Sequence, residues 1–551
     1  MGGCLDCDSA SKVIEHLNNS SLKEALKTFR LPDVIAACAV GGEKWKPYWT
    51  TEIATMFVAS PNSRPIKTIG LVYRRLRSGG VERVMALLSF MLEKKGLKVV
   101  ILTDEEPSPD DYEICSAAAR ARVVAVGDAP GFKNYAARAM SFAEAVSSFG
   151  IDTFVFSNWL DRSLFWDLAT VKSLGAKAIL HIHGSASCIF NGTFPFCQAL
   201  DLCRYIDLFD AAVVLSESEM AFWSTFSRKV RYIPNPTIFK DSCTIKKGKV
   251  GDGHGEVVWV GRLEEEKKPL DAIRAFATVV DKLPKAHLSM VGDCFDLGLK
   301  SKIEDLVLKL GLRENVEIVG FTADVTRYYE KADLMLFTSS FEGFPLVILE
   351  AFSLGLPVVM YDLPYLALTR SGKGCIAVEQ GDFLAAGNKV LEILSDSHLL
   401  ESMSRDALLI ANEFNSQDVG AEWVDLMNDV SGGCLESSLS CDVRDYRGIL
   451  VGIRDNYRIC LTRLERMGAD CAELHAWAEE LQSSKDQIER EFRALQEWVE
   501  ILQSSKDELE RLLNEQVEQY EELHSWTEQL QKSKDWLEDR CRKLDESTHC
   551  T

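Results

Sequence analysis

From Lys67 onward, short apolar runs alternate with stretches in which apolar residues recur at helical spacing. Ile69-Gly70-Leu71-Val72-Tyr73 reads as a strand, Val81 to Leu92 as a helix and Val99-Val100-Ile101-Leu102 as the next strand. That is one strand-helix-strand unit of a parallel sheet. Further strands are expected at Val123–Val126, Thr153–Ser157, Ala178–His183 and Ala212–Leu215. The alternation resumes with Val257-Val258-Trp259-Val260, Leu288–Val291, Val316–Val319 and Leu334-Met335-Leu336-Phe337. Gly355-Leu356-Pro357-Val358-Val359 then reads as a helix stop followed by another strand. The expected fold class is α/β, with two doubly wound Rossmann-like domains.

The same pattern divides the chain. Residues 1–65 read as an appendage, 66–238 as the first domain, 239–255 as a linker, 256–430 as the second domain and 431–444 as a second linker. The lysines within 239–255 read as a solvated run, and Phe414 through Met427 as one long final helix. In 445–551 Leu474, Leu481, Ile488, Leu495, Leu502, Leu509, Gln516, Leu523, Leu530, Leu537 and Leu544 fall on a seven-residue repeat. Such a strip is a coiled-coil seam and needs a partner helix, a second copy in the first instance or another protein. The companion strip is irregular, mixing Trp477, Trp498 and Trp526 with Ser484, Glu491, Ser505 and Gln519.

Composition narrows the partners. A chain of 551 residues exceeds one core, and its net charge of −21 argues against a dedicated binder of nucleic acid or anionic membrane. No apolar run approaches the length of a transmembrane segment, and no signal peptide opens the chain. The 16 cysteines are scattered, with Cys4 and Cys7 the one C-x-x-C, so reduced thiols in a cytoplasmic protein are expected.

The candidate chemistry sits at strand ends. Glu342 falls in the loop after Leu334–Phe337, Pro345 suits the first turn of the next helix, and Glu350 lies one to two turns inside it. Free N–H groups at that helix start suit an anion such as a diphosphate. Arg262 and Lys267 follow another strand end and suit the same group, as a planar fork and a point charge. Gly79-Gly80 begins a loop after the first strand, where a backbone N–H can approach a ligand closely. His181 and His183 alternate onto one face of Ala178–His183, as a ligand contact or as core histidines; a third metal ligand is not evident. Taken one at a time, each of these is also an ordinary turn, surface charge or core residue.

Together they resemble the retaining glycosyltransferases of family 4, which have the GT-B fold of two Rossmann-like domains facing a cleft. The family signature E-G-F-x-L-x-x-x-E-A is matched by Glu342-Gly343-Phe344-Pro345-Leu346-Val347-Ile348-Leu349-Glu350-Ala351. A second block, Val260-Gly261-Arg262-Leu263 with Glu266-Lys267-Lys268-Pro269, stands at family spacing, and the resemblance spans residues 66–430. It implies a nucleotide-sugar donor, no cofactor and no metal, and a glycan, lipid-linked or protein acceptor, as in polysaccharide biosynthesis. It implies that Arg262 and Lys267 neutralise the diphosphate, Glu350 holds the ribose, and Glu342 holds the donor sugar beside Gly343 and Phe344. It also implies a glycine-rich contact at Gly79 and Gly80 and a histidine at the strand end facing the sugar, here His183. Ile233-Pro234-Asn235-Pro236 resembles the family's I-P-N-G segment but lacks its glycine, and Glu379-Gln380-Gly381-Asp382 resembles a loop near the nucleotide or caps the next helix. The alternatives are an assembly protein that keeps the fold without catalysis, and a GT-B sugar-nucleotide epimerase.

Overall fold

The computed structural model describes residues 65–105 except 77–78, residues 122–125, most of 135–237, residues 245–246, and 254–433 except 323. In the C-terminal region it describes a helix over 519–543 and scattered positions before it. Residues 1–64 of the expected appendage, most of the heptad seam, the Cys4–Cys7 pair and all but the start of the expected 431–444 linker lie outside the described residues; residues 431–432, expected in that linker, are helical instead.

The first domain runs β1 (Thr68–Tyr73), α1 (Gly80–Lys94), β2 (Lys98–Thr103), β3 (Arg122–Ala125), α2 (Tyr135–Phe149), β4 (Thr153–Phe156), α3 (Leu164–Ser173), β5 (Lys177–His181), β6 (Ala211–Val214), α4 (Glu217–Trp223) and β7 (Val230–Tyr232). The second runs β8 (His254–Val260), α5 (Pro269–Val280), β9 (Lys285–Val291), α6 (Leu297–Lys309), β10 (Val316–Gly320), α7 (Thr326–Lys331), β11 (Leu334–Phe337), α8 (Leu346–Ser353), β12 (Val358–Tyr361), β13 (Cys375–Val378) and α9 (Phe383–Ser395). Two helices follow, α10 (Ser397–Ser416) and α11 (Val419–Gly432).

The strands form a seven-stranded sheet in the order β3-β2-β1-β4-β5-β6-β7 and a six-stranded sheet in the order β10-β9-β8-β11-β12-β13. All strand pairings among the described residues are parallel. Helices on both faces bury such strands completely, which is why β6, β11 and β12 are unbroken apolar runs. The strand order reverses between β1 and β4 in one sheet and between β8 and β11 in the other. Open parallel sheets bind ligands beyond the carboxyl ends of their strands at that reversal. The two Rossmann-like sheets make this a GT-B fold.

Several expectations need correcting. β5 ends at His181, so His183 stands in the loop beyond it. Gly80 opens α1 and Gly79 is its N-cap, so the pair ends the loop where it was expected to begin one. His254 and Gly255, expected in the linker, already belong to β8. Lys246 is not solvated: its Nζ donates to the carbonyls of Tyr329 at 3.0 Å and Glu330 at 2.6 Å. β7 and β13 went unread because they are three and four residues long and only partly buried.

The long final helix is two helices. Asp418 stops α10 from continuing: its carboxylate accepts from the Ala421 amide at 2.9 Å and starts α11 afresh. The break lets α11 return to the first domain. Val419, Trp423, Leu426, Met427 and Val430 share one core with Ile69 and Leu71 of β1, Ile101 of β2 and Val213 of β6. Lys95 reaches Asp418 at 2.5 Å and Arg231 reaches Asp429 at 2.7 Å, both at the rim of that contact.

Residues 462–551 are a separate unit. On its described helix Leu523, Trp526, Leu530 and Leu537 are exposed, each by more than half.

Trp423 is fully buried, its ring 5.1 Å from that of His181. Trp423→Ala is expected to destabilise residues 65–433 by about 3–5 kcal/mol through the cavity it leaves. Chemical denaturation of the two proteins checks this, and a loss below ~1 kcal/mol would mean α11 is not held by this anchor.

Candidate functional site

A cavity of about 370 Å³ opens where the two sheets' carboxyl ends meet. From the first domain it takes Gly79, Gly80, His183 and Asn235; from the second, Arg262, Lys267 and the loop Glu342-Gly343-Phe344. Every one of these except Asn235 was named from sequence as a site residue, and the fold gathers them from strands far apart in the chain.

The segment after β8 is built to hold Lys267. Thr338 at the end of β11 accepts from the Trp259 indole at 3.0 Å and donates to the Lys267 carbonyl at 2.8 Å. Ser340 bonds the Glu266 carbonyl through its amide and its hydroxyl, each at 2.8 Å. These bonds fix the single turn Glu265–Lys267. Lys268 closes it at φ 52°, the one non-glycine residue with positive φ among the described residues. A left-handed lysine is strained by about 1–2 kcal/mol, and such strain gathers at functional sites. The product is a Lys267 Nζ placed 2.6 Å from Glu342 Oε1.

Arg262 stands at the mouth, with more than half its side chain in solvent, and pairs with Glu264 at 2.8 Å. Glu266, also in the cavity wall, is raised above the usual carboxylate range by burial, with Lys267 opposing. Pro345 is the N-cap of α8 instead of lying within its first turn, and no acidic residue occupies that turn. The α8 amino terminus therefore adds its partial positive charge to that of the two cations.

The domains touch through backbone. A Cβ on Gly343 would lie 1.9 Å from the His183 carbonyl oxygen and 3.0 Å from Gly184 Cα. Only glycine permits that approach. Burial lowers His183 to about 3, so it is neutral, and its Nε2 has no partner among the described residues. Asn235 Oδ1 is likewise buried and unpaired in the cavity wall. Two orphaned polar atoms in one cleft suit a hydroxyl-bearing ligand. His181, its ring 3.9 Å from that of His183, faces Trp423 and does not line the cavity.

Glu350 departs from expectation. It does not line the cavity; one carboxylate oxygen bonds Arg83 of α1 and the other accepts from the Tyr329 hydroxyl at 2.9 Å. Arg83 was missed in the sequence, although a signal was present. A cation in the first turn of a helix opposes the helix dipole and so calls for a partner. Tyr365, whose hydroxyl accepts from the Glu342 amide at 3.2 Å, had no such signal. Asp382 caps α9, donated to by the Ala385 amide at 2.8 Å, while Gln380 bonds the carbonyls of Ser340 and Asp362. Among the described residues no three His, Cys, Asp or Glu side chains gather as a metal site.

Comparison with known proteins places the whole arrangement. The model of Glycosyl transferases group 1 matches residues 244–408, and that of Glycosyltransferase Family 4 matches residues 78–237. Poly(glycerol-phosphate) alpha-glucosyltransferase of Bacillus subtilis is 31% identical over 178 residues, 32% of this chain and 26% of that protein. The chain thus spans about a quarter of that relative's length. An alpha-1,4-N-acetyl-D-galactosaminyltransferase of Campylobacter jejuni is 23% identical over 379 residues, 66% of this chain and 98% of that protein. The crystal structure of Anabaena HepE with UDP and glucose superposes with a TM-score of 0.54 at 17% identity, covering 65% of this chain and 98% of that one.

Gly343→Ala is expected to separate the loop from His183 while leaving both sheets intact. Hydrogen exchange checks it: peptides across 183–187 and 341–346 should exchange faster, and those from β5 and β11 should not change. Unaltered exchange in the two loops would show that the contact tolerates a methyl group.

Proposed function

The chain belongs to the group 1, family 4 glycosyltransferases, and on that footing we propose that it moves a sugar from a nucleoside-diphosphate donor to a glycan or glycoconjugate hydroxyl, with retention at the anomeric carbon. One observation carries the reading: Lys267 and Glu342, 2.6 Å apart, share a cleft with the α8 amino terminus and with His183.

The donor's diphosphate takes Lys267, Arg262 and the α8 amide groups, which are cationic or partially positive and reach one end of the cavity. Negative charge grows on the leaving phosphate as the glycosidic bond breaks, and fixed positive charge in a closed cleft stabilises that growth more than it stabilises the bound donor. Glu342 accepts from sugar hydroxyls and stays close enough to the anomeric carbon to favour its developing positive charge. The departing diphosphate and the arriving acceptor hydroxyl use the same face, which gives retention without a covalent intermediate. His183 and Asn235 supply the unpaired atoms that hydroxyls of the sugar would satisfy. Glu350 serves the ribose after Arg83 gives up one carboxylate oxygen. The bound UDP of HepE supports a uridine donor, and the names of the two relatives, with poly(glycerol-phosphate) and undecaprenol-linked glycan, support a polymeric or lipid-linked acceptor.

Purified protein offered a panel of nucleotide-sugars, with mass-spectrometric scoring of nucleoside diphosphate release, tests the function. Arg262→Ala and Lys267→Ala should each slow release about a hundredfold, near 3 kcal/mol of lost leaving-group stabilisation. Turnover should persist in EDTA, since protein cations do this work. Wild-type rates in both variants would remove the assigned site, and loss in EDTA restored by a divalent ion would replace the mechanism.

For residues 445–551 the reading is self-association. Leu523, Leu530 and Leu537 stand exposed along one strip of the described helix, with Trp526 among them. Each such side chain gains roughly 2–3 kcal/mol when buried. Light scattering should find the full chain dimeric or larger and the chain ending at Ser431 monomeric, with donor turnover kept. A monomeric full chain would mean that the strip receives another protein.

A further inference from the structure

His181 is the last residue of β5 and pairs in register with Val213 of β6. It is 1% exposed, and neither ring nitrogen has a hydrogen-bond partner among the described residues. Its contacts are therefore those of a flat ring. Two residues further on, the chain returns to the same side, and the His183 ring lies 3.9 Å away, centroid to centroid, tilted by 45°. On the other side stands the indole of Trp423 from α11, at 5.1 Å in an edge-on arrangement at 67°. Trp423 is itself fully buried, in the core that α11 shares with β1, β2 and β6.

His183 needs such a backing. It stands in the loop beyond β5, and its Nε2 has no partner among the described residues, so no bond from that atom fixes the ring. Gly343 packs against its carbonyl and so fixes the backbone, which leaves the side-chain torsions to packing. Rotation of the imidazole toward β5 is blocked by His181. His181 cannot yield in turn, because Trp423 fills the space behind it.

We propose that His181 is a positioning residue for sugar transfer: its ring sets the plane of the His183 imidazole in the cleft, and Trp423 holds His181 in place. The helix α11 thereby shapes a cleft that it does not line. The effect on rate rests on the reading in which His183 meets the donor sugar; the packing of the rings can be tested without it.

The same packing keeps water from His183. Burial alone lowers it from 6.5 to about 3. His181 is lowered as well, by burial and by His183 beside it. Trp423 carries no charge. In the cavity wall Lys267 is paired with Glu342 at 2.6 Å, Glu266 lies 3.9 Å from Lys267, and Arg262 is paired with Glu264 at 2.8 Å. Removing the His181 ring admits water and should move His183 back toward 6.5. A protonated imidazole has no acceptor nitrogen left for a sugar hydroxyl. The variant should therefore lose activity relative to the wild type as pH falls below about 6.5. A role confined to stabilising the fold would lower the rate by the same factor at every pH.

Full-length His181→Ala, His181→Phe and Trp423→Phe test the proposal. In His181→Ala the transfer kcat should fall roughly tenfold or more with donor KM within about twofold, since geometry is lost and donor binding kept. His181→Phe keeps a flat ring and drops two unbonded nitrogens, so its kcat should stay within about threefold of the wild type. Trp423→Phe should lower kcat by itself but add nothing to His181→Ala, because the ring it supports is already gone. Nitrogen shifts of isotope-labelled histidine should show His183 neutral down to about pH 4 in the wild type and titrating between about pH 4 and 6.5 in His181→Ala. Wild-type kcat in His181→Ala, equal losses in the Ala and Phe variants, or a His183 indifferent to the missing ring would each overturn the proposal. So would losses that multiply when His181→Ala and Trp423→Phe are combined. If His181→Ala does not fold, the other two still decide: His181→Phe has to keep its rate, and Trp423→Phe has to raise the His183 midpoint. If the wild type releases nucleoside diphosphate from no nucleotide-sugar, the transferase reading falls and the His183 titration still decides the packing.

Discussion

The cleft depends on one constraint: the loop after β11 meets the loop after β5 backbone to backbone. At Gly343 there is no room for a methyl group against the His183 carbonyl. That approach sets the distance between the strand ends of the two sheets and therefore the width of the cavity between them. A cavity narrow enough to exclude bulk water also raises the effect of each charge inside it. The close approach is thus a condition for the electrostatics, because Lys267 and Glu342 would otherwise face solvent.

Within that width, the second domain supplies the charge and the first supplies mostly backbone and neutral groups. Lys267 is fixed by hydrogen bonds from β11 to the turn after β8, and its amine is held 2.6 Å from Glu342. Arg262 remains at the mouth, more than half exposed, free to change partners at little expense. The division suits a donor whose anionic half settles against one domain while its sugar faces the other. Arg83 is the exception, a cation from the first domain that ties Glu350 across the boundary. It occupies the carboxylate for which we propose a ribose contact, and on that reading donor binding would exchange one contact between domains for one with the ligand.

Much of this was legible in the sequence for a simple physical reason. Strands buried on both faces must be apolar throughout, so β11 and β12 announce themselves, and the site residues follow directly after strand ends. Arg262, Lys267, Glu342 and Gly79 fall in such positions, but it was the resemblance to the family that marked them as site residues. What stayed hidden depends on contacts between elements distant in the chain. Nothing local marks Tyr365 as a partner of the Glu342 amide, or Lys246 as a donor to two carbonyls near residue 330. Glu350 reads locally as a helix residue one turn behind an anion site, and only the fold brings Arg83 and Tyr329 to it. The short strands β7 and β13 went unread, being three and four residues long and only partly buried.

The return of α11 ties the end of the second domain back onto the first. Asp418 ends one helix and begins another, and the new helix buries Trp423, Leu426 and Val430 against β1, β2 and β6 of the first domain. Gly433 then stops it in a left-handed turn at φ 68°, which glycine adopts without strain. The chain consequently leaves from the first domain, though it has just completed the second. The second domain, which holds the cations and Glu342, is thus clasped to the first by a helix that follows it in the chain, beside the contacts made at Gly343 and Arg83.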